Sequence, residues 1–199
     1  MTPLGAGFHP VPPGMVATVV TYLEMTSPVP QRPAPELPGV TFAPLAPDIA
    51  TYRDLFARVG AHDWLWFSRM QMSDDALSAI LEDRDVTLHT LLKDGTPEAL
   101  LELDFRDDGA CELAFFGVTS ALMGQGAGRV LMNRATRLAW ARPITRFHVH
   151  TCTLDHPGAL GFYRRSGFTP IRQEVEIAPD PRLTGVLPET AGPHVPIFP

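Results

Sequence analysis

A glycine-rich turn, Met123-Gly124-Gln125-Gly126-Ala127-Gly128-Arg129, lies between an apolar strand segment and a long amphipathic helix. Glycines let the backbone approach a ligand closely, and the free N–H groups at the start of a helix bind anions, aided by the positive end of the helix dipole. These residue types and their spacing indicate a seat for a pyrophosphate. The alternative is a tight turn that only packs the helix against the strand.

The residues after this turn distinguish two kinds of nucleotide site. A dinucleotide-binding fold needs an acidic residue about twenty positions further on, at the end of the next strand, to hold a ribose. That stretch is Phe147-His148-Val149-His150, which carries no carboxylate. The strand segments before the turn are also typical of an antiparallel meander rather than of parallel units. The sequence therefore disfavours a dinucleotide site.

A second motif, Tyr163-Arg164-Arg165-Ser166-Gly167-Phe168, closes a short helix further along the chain. In this order the two motifs resemble the GNAT superfamily of N-acetyltransferases, whose cofactor loop has Gln or Arg, two residues, Gly, one residue, and Gly or Ala. Gly126 and Gly128 match this pattern, whereas Met123 replaces the Gln or Arg. His156, seven residues before the tyrosine, stands where the family often has Asn. The resemblance covers roughly residues 40–177.

The resemblance implies an enzyme that transfers an acetyl group from acetyl-CoA to a primary amine by direct attack, without a covalent enzyme intermediate. The pyrophosphate would lie on the backbone amides of residues 124–129, and the pantetheine arm would pair with the end of the preceding strand, where that strand splays from its neighbour. A backbone N–H there would hold the thioester oxygen as negative charge develops. The implied cofactor-binding residues are Phe116, Gly117, Val118, Met123, Gly124, Gln125, Gly126, Ala127, Gly128, Arg129 and His156.

Tyr163 occupies the position of the family's general acid. A phenol with a pKa of about 10 stays protonated at neutral pH and can donate a proton to the departing CoA thiolate. The alternative is a tyrosine that only packs against CoA.

Glu112 is the candidate base that deprotonates the amine. In the histone-acetyltransferase branch of the family a strand glutamate lies fourteen residues before the first conserved glycine, and Glu112 lies fourteen residues before Gly126. Strand alternation predicts that Glu112 shares a face with Ala114, Phe116 and Val118, so we expect it beside the cofactor. A partly apolar cleft would raise the pKa of its carboxyl group. The alternative is a carboxylate that only pairs with or orients the substrate.

The candidate acceptor-binding residues are Trp64, Trp66, Arg69, Glu102 and Asp104. The two carboxylates alternate onto one strand face and, with Glu112, would form an acidic wall that attracts an ammonium group; a solvated strand face is the alternative. The tryptophans and the arginine lie between the first two helices, where the family usually builds its acceptor-specific loop. There the tryptophans would cover or stack on a substrate, or else pack in the core.

The hydrophobic pattern supplies elements that can hold these groups in place. Helices are predicted at residues 47–60, 73–81, 124–141 and 157–165, and strands at residues 15–24, 40–45, 86–92, 98–105, 111–119, 145–153 and 168–177. Two Asp-Gly turns join three of the strands into a meander. The predicted fold class is α/β, with a GNAT-type mixed, mostly antiparallel sheet that splays in the centre and carries helices on both faces.

Prolines concentrate at the two ends of the chain, with 11 of the 21 in residues 1–47 and six in residues 179–199. We therefore expect a proline-rich N-terminal arm at residues 1–39, an acetyltransferase domain at residues 40–178 and a proline-rich C-terminal arm at residues 179–199. Within the first arm, residues 28–38 are predicted to be a stiff, extended linker. The strand at residues 15–24 would take the place beside the last strand where the family has a further hairpin strand, in its own subunit or in a partner.

The composition bounds the class of protein and its partners. A chain of 199 residues that is 45% hydrophobic can bury a full core, and its net charge of −6 disfavours a nucleic-acid binder. Its apolar runs are too short for a membrane helix. Cys111 and Cys152 are too few for a disulfide scaffold and are expected to be reduced. His148, His150 and Cys152 share a strand face, but three ligands on one straight strand do not converge easily on a metal ion.

We therefore expect a cytoplasmic enzyme that uses acetyl-CoA and a small-molecule or peptide amine, without a metal and without a nucleic-acid or membrane partner, with a homodimer as one allowed state. Two other classes stay open, a non-catalytic acyl-CoA-binding module and a module that binds partners through its proline arms. No motif identifies the acceptor amine.

Overall fold

The computed structural model describes residues 4–199. The strands are β1 (Met15–Met25), β2 (Val40–Pro44), β3 (Val86–Lys93), β4 (Thr96–Pro97), β5 (Ala99–Asp104), β6 (Ala110–Val118), β7 (Arg146–Cys152) and β8 (Thr169–Pro179). The helices are α1 (Ile49–Phe56), α2 (His62–Trp64), α3 (Asp74–Leu81), α4 (Ala127–Ala139) and α5 (Ala159–Arg165), and a π-helical turn, Ala57–Ala61, continues α1 into α2. No helix within residues 4–199 is long and apolar enough to cross a membrane.

The eight strands form one sheet in the order β2-β3-β5-β6-β7-β1-β8, with β4 paired to β3. Every pairing is antiparallel except that of β6 with β7, which is parallel. The parallel pair is short, because it runs only from Ala110 opposite Arg146 to Glu112 opposite His148. Beyond this point the two strands separate, so the sheet is open at its centre.

Hydrophobic residues alternate along the central strands and build a core on each face of the sheet. Leu101 and Leu103 of β5 face a cluster with α4 and α5, whereas Leu100 faces a second cluster with α1, α3 and the C-terminal arm. In α4 the apolar spacing buries Ala127, Leu131 and Ala135, as helical periodicity requires. The predicted fold class is confirmed, with a mixed, mostly antiparallel sheet and helices on both of its faces.

Strand β1 lies between β7 and β8 of the same chain. It pairs antiparallel with both, so that Val20 is opposite Cys152 on one side and Glu174 on the other. The β-branched and aromatic residues of this segment favour a strand, and its buried Leu23 and Met25 extend the core beneath α4 and α5. The N-terminal segment is therefore an interior strand of the sheet.

Residues 28–38, which we call the strap, form no helix or strand and pack on the protein. The Gln31 side-chain amide donates to the Asn133 carbonyl at 2.9 Å, and the Asn133 amide donates to the Arg32 carbonyl at 2.8 Å. Val29 packs against the core, and Pro35 lies against Gly126. The sequence predicted an extended segment but not these contacts, because they come from residues about a hundred positions away in sequence.

The C-terminal arm is organised by a buried ion pair. Arg182 donates from Nε and Nη2 to the two carboxylate oxygens of Asp180 at 2.9 and 2.7 Å, and its Nη1 donates to the Val195 carbonyl at 2.8 Å. The arm contacts both ends of the fold, because the Gly192 N–H donates to the His62 carbonyl at 2.8 Å and the Gly14 N–H donates to the Phe198 carbonyl at 2.7 Å.

Candidate active site

A cavity of about 630 Å³ lies where β6 and β7 separate. Its walls come from the end of β6, the glycine turn before α4, the segment from β7 into α5, the tryptophan segment after the π-helical turn, and the strap. The lining residues are Arg32, Pro33, Val59, Trp64, Trp66, Phe116, Gly117, Val118, Leu122, Met123, Gly124, Gly126, Ala127, Gly128, Arg129, Asp155, His156, Gly158, Ala159, Phe162, Tyr163 and Arg165. This size is typical of small-molecule sites.

The glycine turn forms one end of the cavity. Gly124 and Gly126 have positive φ angles of 74° and 80°, and Gly126 is the residue that precedes the first turn of α4. A side chain at Gly126 would also collide with the strap, since its Cβ would come within 2.5 Å of Pro35. Gln125 is the predicted cofactor residue that does not line the cavity; its side chain donates to the Ala121 carbonyl at 2.8 Å.

This end of the cavity suits a ligand with several negative charges. The first backbone N–H groups of a helix have no partner within the helix, and here they belong to residues next to glycines that leave them accessible. Arg32, Arg129 and Arg165 line the same region. Burial, followed by the charges of the other two arginines, lowers the pKa of Arg129. The phosphate groups of CoA fit such an environment.

The end of β6 presents Phe116, Gly117 and Val118 to the cavity, but not in the register that alternation predicted. A β-bulge places Leu103 opposite Leu113 and Glu102 opposite Phe115, so the strand contains one extra residue, Ala114. The expectation that Glu112 shares a face with Phe116 and Val118 is therefore wrong. Phe116 and Val118 pack with the core beneath α4, whereas Phe115 joins the opposite core.

Two glycines allow the tryptophan segment to approach β6 closely. A Cβ at Gly117 would come within 2.4 Å of Val59, and a Cβ at Gly60 would come within 2.0 Å of the Trp66 ring. Both Val59 and Gly60 belong to the π-helical turn, an irregularity that is frequent at functional sites. Trp66 therefore packs directly over the opening in the sheet.

Trp64 and Trp66 both line the cavity, whereas Arg69 does not. Leu65 between the tryptophans has a left-handed backbone, with φ 54°, which turns the chain sharply at this point. The Trp64 ring lies 5.1 Å from the His156 ring and 5.4 Å from the ring of His194 in the C-terminal arm. The C-terminal arm thus contacts the aromatic end of the cavity through His194.

Asp155 was not anticipated from the sequence. Its Oδ1 accepts from Trp66 Nε1 at 2.7 Å, and its Oδ2 accepts from the Thr151 hydroxyl at 2.6 Å and from the Cys152 N–H at 2.9 Å. It is the only carboxylate among the residues that line the cavity. It directly precedes His156, which the motif comparison singled out, but nothing in the sequence marked a hydrogen bond to Trp66, 89 positions away.

Tyr163 is 7% exposed and lines the cavity beside Phe116 and Phe162. Burial raises the pKa of its phenol well above the usual range, and the charge of Asp155 adds to this effect. The group is therefore a neutral hydrogen-bond donor throughout the physiological pH range.

Glu112 lies outside the lining of the cavity, at the point where β6 and β7 begin to separate. Its Oε1 is 3.3 Å from His150 Nδ1. This hydrogen bond is the main reason why the pKa of Glu112 is lowered and the pKa of His150 is raised. The expected rise in the pKa of Glu112 is thus wrong in direction, because the imidazole stabilises the ionised carboxylate.

The predicted acidic wall is also wrong. Glu102 is completely buried and is held by the Tyr52 hydroxyl and by Arg69 Nη2, the latter at 2.5 Å. Asp104 is paired with Arg106, again at 2.5 Å. Each carboxylate is already paired with a guanidinium, so neither is free to attract an ammonium group. Arg69 binds the buried Glu102 and does not contact the cavity.

Within residues 4–199 no cluster of three or more His, Cys, Asp or Glu side chains is placed to hold a metal ion.

Besides Asp155, the cavity includes Val59, Phe162, Arg165 and the strap residues Arg32 and Pro33, which the sequence did not single out. Arg165 lay within the tyrosine motif, whereas nothing in the sequence indicated that the strap residues line the cavity.

Comparison with known proteins agrees with this geometry. The sequence matches the Acetyltransferase (GNAT) family over residues 53–168, which is more than half of the chain. The chain therefore belongs to the GNAT family of acetyltransferases.

The individual relatives either match only a short part of this chain or have low sequence identity to it. Mycothiol acetyltransferase of Jonesia denitrificans is 39% identical over 64 residues, which make up 32% of this chain and 20% of that protein. A GCN5-related N-acetyltransferase from Kribbella flavida is 24% identical with a TM-score of 0.52, covering 86% of this chain and 63% of that one. Another, from Sphaerobacter thermophilus, is 18% identical with a TM-score of 0.58, covering 86% and 53%. The chain spans only a part of each relative, and these two structures share its fold.

Proposed function

We propose that this enzyme transfers an acetyl group from acetyl-CoA to a primary amine by direct attack. The observation that carries the proposal is the single cavity that joins the glycine turn to Tyr163 and continues to Trp64, Trp66 and Asp155. One end of this cavity is positively charged and the other is aromatic with one carboxylate. This polarity fits a polyanionic donor at one end and a cationic acceptor at the other.

The donor site would be formed by backbone groups together with arginine side chains. The amides after Gly126 and the surrounding arginines would hold the phosphates, and the separated edge of β6 at Phe116–Val118 would hold the extended arm by strand-like hydrogen bonds. Acetyl-CoA, when bound, supplies an acetyl thioester that an amine can attack. The chain's own part is to orient this group at the opening in the sheet and to exclude water with Trp66 and Phe116.

Proton transfer would involve Tyr163 and the Glu112–His150 pair. The neutral phenol would donate to the departing sulfur, so the proton needed by the thiolate comes from Tyr163, and the phenolate would regain a proton from solvent once CoA has left. The proton lost by the amine goes to the Glu112–His150 pair, in which the imidazole, with its raised pKa, is the stronger proton acceptor near neutral pH. Because the pair lies beside the cavity and not in its wall, a water molecule would carry this proton.

The acceptor would bind at the tryptophan end. Asp155 is fixed by three hydrogen bonds and has the charge that an ammonium group requires, while Trp64 and Trp66 offer ring faces for a cation or an apolar body. A small amine or the terminus of a peptide matches a cavity of this size better than a folded protein surface does.

Incubating the purified protein with acetyl-CoA and pools of primary amines, while following release of the free CoA thiol, tests this proposal. We expect release to depend on at least one pool, and the same amines after N-acetylation to give none. If CoA binds by calorimetry but no pool releases thiol, the protein is a binding module and the transfer proposal fails. If CoA itself does not bind, the donor is wrong.

A further inference from the structure

Three arginines meet at the mouth of the cavity, and one of them comes from the strap. Arg32 and Arg165 are exposed, Arg129 is partly buried, and all three line the cavity. Arg32 Nη1 donates to the Arg165 carbonyl at 3.0 Å, which holds the strap arginine next to the end of α5. Arg129 lies over the Phe162 ring, 4.8 Å from its centroid.

None of the ion pairs found among residues 4–199 includes any of these three arginines. Like charges that converge without a carboxylate repel one another, and the lowered pKa of Arg129 reflects burial and the proximity of Arg32 and Arg165. Such an arrangement is unfavourable in the free protein and becomes favourable when an anion lies between the arginines. The cavity between them leads directly to the glycine turn.

The strap is fixed at this position by contacts that have nothing to do with a ligand. Gln31 accepts a hydrogen bond from Arg137 at 3.1 Å and donates to the Asn133 carbonyl, so the residue before Arg32 is anchored to α4 at two points. On the other side, Pro35 packs against Gly126. Arg32 is thereby held over the cavity between two anchored residues, at little further entropic cost when it contacts a ligand.

We propose that Arg32, although it lies outside the family-matched residues 53–168, binds the phosphate groups of the acyl donor and makes the strap part of the donor site. The inference rests on the proposed use of a CoA thioester. It differs from a role in packing, because it requires the charge of residue 32 and not only its bulk. A donor without phosphates would not contact this residue.

Calorimetric titration of CoA and of pantetheine, which has no phosphate, measures this effect directly. The variants are Arg32→Gln and Arg32→Lys, with Arg164→Gln as the matched control, because Arg164 is exposed on the same helix as Arg165 but does not line the cavity. We expect Arg32→Gln to weaken CoA binding about tenfold or more, as for loss of one charge-assisted contact, and to reduce its dependence on salt. Arg32→Lys should recover part of the affinity, and Arg164→Gln should match the wild type.

Binding of pantetheine shows whether a variant has lost only its contact with the phosphates or also the shape of the site. The melting temperature shows whether the variant is still folded. We expect pantetheine to bind the wild type and Arg32→Gln equally, with equal melting temperatures. The inference is overturned if Arg32→Gln binds CoA as tightly as Arg164→Gln does, or if it loses pantetheine binding to the same extent as CoA binding. If the wild type does not bind CoA at all, the proposed donor fails and this inference falls with it.

Discussion

Tyr163 and Asp155 both line the cavity, and the charge of Asp155 acts on the Tyr163 phenol. The phenol is buried, and both its burial and the nearby carboxylate keep it protonated. The carboxylate accepts hydrogen bonds from Trp66, from Thr151 and from the Cys152 N–H, so its position is fixed from both the tryptophan segment and β7. The same cavity therefore contains a neutral phenol and a fixed carboxylate, which in the proposed reaction would serve the leaving thiolate and the incoming amine.

Replacing Tyr163 by Phe removes the hydroxyl but keeps the ring that packs between Phe116, Phe162 and Phe168. We expect turnover to fall by about 10²-fold or more, the range for loss of a positioned acid, with little change in the affinity for CoA. Steady-state rates together with calorimetric CoA binding measure the two effects. Unchanged turnover would remove the acid role and leave Tyr163 as a packing residue.

The Glu112–His150 pair predicts a particular change with pH. The imidazole must be neutral to accept a proton, so the rate rises as the pH rises through the pKa of His150, and Glu112 raises this pKa. In Glu112→Gln the raising charge is lost, and we expect the acidic limb of the rate profile to move to lower pH. A profile of kcat/KM against pH shows this shift, with Glu189→Gln, an exposed carboxylate elsewhere, as the control.

Two other results would correct the assignment of the base. Complete loss of the acidic limb in Glu112→Gln would make the carboxylate itself the base. An acidic limb at the wild-type position would exclude the pair from proton transfer.

At the level of elements, irregular backbone builds the site on a regular sheet. The bulge at Ala114 reverses the faces of the last residues of β6, and the π-helical turn with Gly60 and Gly117 brings Trp66 over the opening. The C-terminal arm then supports this segment through Gly192, which accepts no larger residue because a Cβ would come within 2.3 Å of Leu65. The strap thus lines the site, and the C-terminal arm supports the tryptophan segment from outside the cavity.

Arg182 allows the contribution of the C-terminal arm to be measured. In Arg182→Ala the 1%-exposed guanidinium is lost and the Asp180 carboxylate stays buried without its partner. We expect the free energy of unfolding to fall by about 3–5 kcal/mol, the range for breaking a buried pair. Urea denaturation measures this change, and Arg84→Ala, whose side chain is 92% exposed, should stay within about 0.5 kcal/mol of the wild type. A small loss in Arg182→Ala would mean that the arm contributes little to stability.

At the level of the molecule, the features set by neighbouring residues could be predicted from the sequence. The features set by contacts between residues far apart in the chain could not. Apolar periodicity predicted α4, and glycine spacing predicted the turn before it, although the helix is shorter than the expected residues 124–141. The buried state of Glu102 depends on Tyr52 and Arg69, which are 50 and 33 positions away. Likewise the ordered strap depends on Asn133, and no local signal distinguishes an anchored proline segment from a free one.

The place of β1 between β7 and β8 also has a consequence for how the protein is made. This strand is synthesised before the residues that pair with it, 147–152 and 169–179. Until then its hydrogen-bonding edges have no partner, and pairing over such a sequence separation is slow. A nascent chain stopped before residue 169 would lack β8 and leave the outer edge of β1 unpaired, so synthesis of residues 169–179 is the step that covers this edge against aggregation.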